Sequence, residues 1–129
     1  MLLNGIHHVM VKVHDFDKSV VFYETLGAKM THIWGDPEKR CALLDIGGQN
    51  LELISGAPEE PQPAGPVNHI AFRTEDCAAC VATAVGAGAR ITREMSVVTI
   101  PAKPEPLVVR LAFVAGPDNE SLEFFQIIE

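Results

Sequence analysis

The chain of 129 residues is 47% apolar and 21% charged, and 17 acidic against 10 basic side chains leave a formal charge of −7. That length and apolar share allow one compact domain with a true core and exclude wholesale disorder. The acidic excess, with no basic block, excludes nucleic acid and an anionic membrane surface as partners, because both need clustered Lys and Arg.

No apolar run approaches the ~20 residues of a membrane span. The start, Met1-Leu-Leu-Asn-Gly-Ile-His-His8, lacks the cationic and long apolar segments of a secretory signal. Three cysteines, an odd number, make no disulfide framework, so a reducing cytoplasm is the expected setting.

In chain order, residues 6–13 alternate with period two. Val9, Val11 and Val13 share one face of this strand, and His8, Met10 and Lys12 share the other. A helix opens at Asp15, whose carboxylate caps free N–H groups. Phe16, Val20, Tyr23 and Leu26 follow at helical spacing, and Gly27 stops the helix. Strands are predicted near 28–34, 40–46 and 50–54. Gly56-Ala-Pro-Glu-Glu-Pro-Gln-Pro-Ala-Gly-Pro66 then reads as a stiff linker, since its prolines cannot donate to a ladder. The pattern repeats with a strand at 67–74, a helix at 76–87 stopped by Gly88, and strands near 89–95, 108–114 and 122–127.

The repetition extends to the residues themselves. At an offset of 61, His8 falls on His69, Asp15 on Asp76, Val20 on Val81, Gly27 on Gly88 and Thr31 on Thr92, without a gap. Lys12 and Lys29 fall on Arg73 and Arg90. Leu51-Glu52-Leu53-Ile54 matches Leu122-Glu123-Phe124-Phe125 at an offset of 71, and the ten added residues are expected in Pro101–Pro106, as a lid or a long connection. The fold class is therefore α+β, two βαβββ modules over 1–55 and 67–129 joined by the linker 56–66.

Polar residues break the apolar pattern at equivalent places. His8 and His69 stand early in the first strand of each half, and Glu52 and Glu123 stand inside the last strand between apolar neighbours. Singly, such a histidine is ordinarily a hydrogen-bonded residue and such a glutamate ordinarily faces water. A carboxylate buried there would need a partner or a cation. Alternation sets Glu52 on the face opposite Leu51 and Leu53. If the halves pack about a pseudo-two-fold axis, two imidazoles and two carboxylates converge as ligands for Zn, Ni, Co, Mn or Fe.

These residues resemble the vicinal oxygen chelate superfamily, which includes glyoxalase I, methylmalonyl-CoA epimerase, extradiol dioxygenases and bleomycin- and fosfomycin-resistance proteins. The matching stretches are the run from His8 to Gly27, Asn68-His-Ile-Ala-Phe72, and Gly116-Pro-Asp-Asn-Glu-Ser-Leu-Glu-Phe-Phe-Gln126. The resemblance implies two βαβββ modules whose curved sheets form a cleft around one divalent metal, a small-molecule substrate and a homodimer. The order His8, Glu52, His69, Glu123 looks most like bacterial glyoxalase I. By that resemblance, substrate oxygens chelate the metal and Glu123 moves a proton between adjacent carbons through an enediolate, with Glu52 as its near-symmetric partner. A dioxygenase or epimerase on the same scaffold, or a non-catalytic antibiotic-binding protein, is the alternative. Gly56 stands where glyoxalase I has an Asn that holds glutathione, Gly65 where the family often has an Arg, and Lys12 where another Arg clamps a carboxylate. Glutathione dependence is accordingly open.

Other features carry less. Cys77-Ala-Ala-Cys80 has the spacing of a redox or zinc pair, yet its cysteines fall on Phe16 and Ser19 in the repeat and read as packing residues, and Cys41 has no nearby partner. His7, His14 and His32 have no matching histidine and read as surface or loop residues, with His7 turned away from His8. Phe22, Trp34 and Phe125 are core aromatics first and pocket candidates second. Gly47-Gly48 and the segment from Gly116 to Asn119 read as hairpin turns.

Overall fold

A computed structural model describes residues 2–128, with Met1 and Glu129 outside the described residues. The chain divides into two compact units, Met1–Pro61 and Gln62–Glu129, the division falling inside the proline-bearing stretch. Each unit is one βαβββ module and the class is α+β.

The first unit runs β1 (His8–Val13), α1 (Phe16–Thr25), β2 (Lys29–Asp36), β3 (Lys39–Ile46) and β4 (Gln49–Ser55). Its sheet has the order β1-β4-β3-β2, with β1 parallel to β4 and the remaining pairs antiparallel. The local causes are those read from the chain. Asp15 accepts a hydrogen bond from the Lys18 N–H at 3.1 Å, satisfying a free donor of the first turn of α1. Gly27 follows at φ 108°, a conformation that lets the chain leave the helix without a Cβ penalty.

Phe16, Val20, Phe22 and Tyr23 of α1 are buried with Leu44, Leu51 and Leu53 of the sheet. Each such side chain contributes ~1.5–3 kcal/mol by leaving water, and together they seal one face of the sheet. Phe22 is thus a core residue, 2% exposed, and not a pocket wall. The buried Ser19 hydroxyl has no hydrogen-bond partner among the described residues.

The second unit repeats the plan with β5 (Ile70–Arg73), α2 (Cys77–Gly86), β6 (Arg90–Ile100), β7 (Leu107–Ala115) and β8 (Ser121–Ile127), in the order β5-β8-β7-β6. Asp76 caps α2 through the Ala79 N–H as Asp15 caps α1. Cys77 is fully buried and its thiol lies 3.8 Å from the Phe124 carbonyl oxygen, while Cys80 contacts the Thr74 hydroxyl. The cysteines Cys41, Cys77 and Cys80 are all free.

The strand starts and the placement of the added residues differ from expectation. Strand pairing begins at His8 and Ile70, so β1 and β5 are shorter than the alternation suggested and His69 sits just ahead of its strand. The first strand of each unit is an edge strand, so pairing with one neighbour alone decides where it starts. The ten added residues are also not confined to Pro101–Pro106. They lengthen β6 to 11 residues against eight in β2, extend the β6–β7 connection and widen the β7–β8 turn.

Candidate metal centre

In β4, Leu51 and Leu53 turn into the core, which forces Glu52 onto the opposite face. The parallel pairing of β1 with β4 sets His8 against Asn50 and Met10 against Glu52, so His8 and Glu52 share that face. Their side chains meet, with His8 Nε2 3.0 Å from Glu52 Oε1. The second unit builds the same pair from the same parts. Leu122 and Phe124 are buried, Glu123 is turned the other way, and His69 Nε2 lies 3.2 Å from Glu123 Oε1. All four residues singled out from the chain are therefore brought together two by two, each pair within its own unit. Within each unit no third His, Cys, Asp or Glu completes a group of three that could hold a metal among the described residues.

The pairs differ in depth. The Glu123 side chain is 9% exposed and the Glu52 side chain 14%, while both histidines are well exposed. Phe113, in register with Glu123, presents its ring edge-on to His69 at a centroid distance of 5.1 Å. That aromatic wall follows only from strand pairing.

Each imidazole is also held through its second nitrogen. His69 Nδ1 lies 2.9 Å from Asn68 Oδ1, a contact that fixes the ring with Nε2 toward the Glu123 carboxylate. An imidazole nitrogen and a carboxylate oxygen set face to face in this way are the donor types a divalent ion takes. His8 Nδ1 lies 3.0 Å from His7 Nδ1, and the two rings meet edge to face at 5.2 Å. His7 is thus not turned away from His8. It precedes β1, where strand alternation does not apply, and Asn50 holds its carbonyl oxygen at 3.0 Å. Asn68, His7 and Asn50 were missed in the chain because a supporting contact has no periodicity. Their position beside a candidate ligand was the available signal.

The remaining candidates stand elsewhere. His14 Nδ1 contacts the Ala57 carbonyl oxygen at 3.0 Å, and His32 contacts Thr31. Burial pushes the Cys77 thiol above its ordinary pKa, reinforced by Cys80, Asp76 and Glu123 and opposed by Arg110. Such a thiol is protonated and inert at neutral pH, consistent with packing and not redox chemistry. No helix among the described residues is long and apolar enough to cross a membrane.

The model of the Glyoxalase/Bleomycin resistance protein/Dioxygenase superfamily matches residues 5–103, and the chain belongs to that superfamily. It is 35% identical over 127 residues to the uncharacterized protein YwbC of Bacillus subtilis (strain 168), covering 94% of this chain and 96% of the relative. It is 29% identical to a lactoylglutathione lyase of Haemophilus influenzae, covering 92% and 90%. Among solved structures, SMU.1112c superposes with a TM-score of 0.74 at 27% identity, over 95% of this chain and 98% of the other. The fosfomycin resistance protein FosX of Listeria monocytogenes, solved with Mn(II) and sulfate, shares the fold with a TM-score of 0.69 at 22% identity, over 96% and 93%.

Proposed function

We propose that the protein is a metal-dependent lyase or isomerase of the glyoxalase I type. It moves a proton between adjacent carbons of a small carbonyl substrate, with His8, Glu52, His69 and Glu123 as ligands of one divalent ion. The observation that carries this reading is the repeated pair: each unit sets a histidine Nε2 within 3.2 Å of a glutamate oxygen, on the sheet face its apolar core leaves free.

The donor set fits such an ion, because imidazole nitrogen and carboxylate oxygen together suit Zn, Ni, Co, Mn and Fe. A bound divalent ion supplies Lewis-acid polarisation of a substrate carbonyl. The chain's own residues do the rest. Asn68 and His7 orient the two imidazoles, which keeps both Nε2 atoms aimed at the carboxylates. Glu123, the more deeply buried carboxylate, is the proton carrier, and Phe113 beside His69 limits access of water to it. Glu52 is its counterpart in a wetter setting.

Likeness to the Haemophilus lactoylglutathione lyase supports the reaction class. Gly56, Gly65 and Lys12 depart from the positions that hold glutathione in glyoxalase I, so a different small carbonyl compound, acid or thioester stands beside a glutathione conjugate as substrate. The working form is a homodimer and the setting a reducing cytoplasm, the latter supported by three unpaired cysteines.

The test is metal stoichiometry. Protein loaded with Mn(II), Ni(II) or Zn(II) and desalted should retain one ion per chain, removable by chelator. Glu123→Gln and Glu52→Gln should each lose that ion with an unchanged circular dichroism spectrum. Two ions per chain, or full retention in both variants, would overturn the shared site, and an absolute requirement for oxygen in turnover would move the reaction to a dioxygenase.

A further inference from the structure

Both sheets carry the same irregularity at the same place. In β2 the register with β3 shifts between Met30 and His32, and in β6 the register with β7 shifts between Ile91 and Arg93. At the repeat offset of 61, His32 falls on Arg93. Without the shift, Thr31 would oppose Leu43 and Thr92 would oppose Phe113. With it, His32 and Arg93 take those positions. A β-bulge re-aims a side chain in this way, and bulges gather beside binding sites.

The row each residue joins is the one that matters. Across the second sheet, Arg93 opposes Phe113, Phe113 opposes Glu123, and Glu123 opposes Ala71. Across the first, His32 opposes Leu43 and Leu43 opposes Glu52. Residues opposed in register share a face, so each bulge turns a nitrogen-bearing side chain onto the face of the His–Glu pair, two strand spacings, or ~10 Å, from the glutamate. The step between them is apolar in both units, Phe113 in one and Leu43 in the other. Arg93 is exposed and its guanidinium has no hydrogen-bond or ion-pair partner among the described residues. Where Arg40 in the first unit is tied to Asp17 at 3.0 Å, Arg93 is uncommitted.

We propose that Arg93 is a substrate-recognition residue, binding a carboxylate at the far end of a substrate whose carbonyl end lies at the His–Glu site. This rests on the metal-dependent reading above. The substrate class is a hydroxy-oxo acid, with its hydroxyl on the carbon beside the carbonyl and a second carboxylate at the far end, its intervening carbons lying over Phe113. A single guanidinium carries one positive charge in a planar fork, which matches a carboxylate in charge and geometry better than a phosphate dianion.

The experiment compares 2-oxoglutarate with 2-oxopentanoate, the same chain without the distal carboxylate, by calorimetric titration of Mn(II)-loaded protein. The native protein should prefer 2-oxoglutarate by about tenfold, the worth of one charge-assisted hydrogen-bond pair. Arg93→Gln should erase that preference while leaving 2-oxopentanoate affinity and metal content unchanged, and Arg93→Lys should restore part of it. A preference that survives in Arg93→Gln, or none in the native protein, overturns the proposal. Glutarate titrated into chelator-stripped protein keeps the two readings apart. Arg93-dependent affinity for glutarate in stripped protein, together with failure of the loaded protein to retain an ion, would sustain this subsite and sink the metal reading. Normal metal binding with no dependence on Arg93 would do the reverse.

Discussion

Gly35→Ala tests how tightly the β2–β3 hairpin, which carries His32, is held by its own turn. Gly35 has φ +97° and lies opposite Arg40. A Cβ there would overlap the Lys39 carbonyl oxygen and stand 3.2 Å from its carbonyl carbon, both backbone atoms that no rotamer change can withdraw. Gly27, at φ +108°, supplies the internal control, because a Cβ there meets nothing within 4 Å. Both substitutions force an L side chain into positive φ at ~1–2 kcal/mol, offset by ~0.4–1 kcal/mol from a less flexible unfolded chain. Gly27→Ala should therefore cost about 1 kcal/mol. Gly35→Ala adds a backbone overlap of the kind that costs ~1–3 kcal/mol, for a total of roughly 2–4 kcal/mol. Urea unfolding followed by circular dichroism gives both values, and the fluorescence of Trp34, the chain's single tryptophan, reports the turn directly. Losses equal to within ~0.5 kcal/mol would show that the turn opens freely and that steric overlap at Lys39 does not govern the hairpin.

Further outcomes follow from other sites. Ser19→Ala should stabilise the protein by about 1 kcal/mol in the same assay, because it removes a buried hydroxyl without a partner. Asp15→Ala and Asp76→Ala should each cost about 1 kcal/mol, and similar values would reflect the same cap built twice. With a disulfide reagent at neutral pH, Cys80 should react and Cys77 should stay silent until the protein unfolds, which peptide mapping of the labelled thiols would show. Since burial holds the Cys77 pKa up, stability should fall as pH rises through the ordinary thiol range, where the unfolded chain ionises first; Cys77→Ala should flatten that alkaline decline in a pH series of urea midpoints. Chelator treatment of metal-loaded protein should lower Tm by an amount that grows with the free-metal concentration removed, and an unchanged Tm would mean that the ion does not favour the folded state.

The chain by itself determined the elements whose causes are local. Asp15 and Asp76 cap their helices, Gly27 and Gly88 end them, and apolar alternation sends Leu51 and Leu53 inward so that Glu52 must turn outward. Because the same motif occurs twice, the four candidate ligands could be named before any coordinates, at equivalent places in a βαβββ repeat. What depends on register could not be read this way. The ring of Phe113 beside His69 and the bulges that turn His32 and Arg93 onto the site face arise from pairing between strands distant in sequence. A shift of one residue exchanges the two faces of a strand, and local propensity does not specify where such a shift falls. Tertiary pairing decides it, and with it which side chains surround the His–Glu pairs.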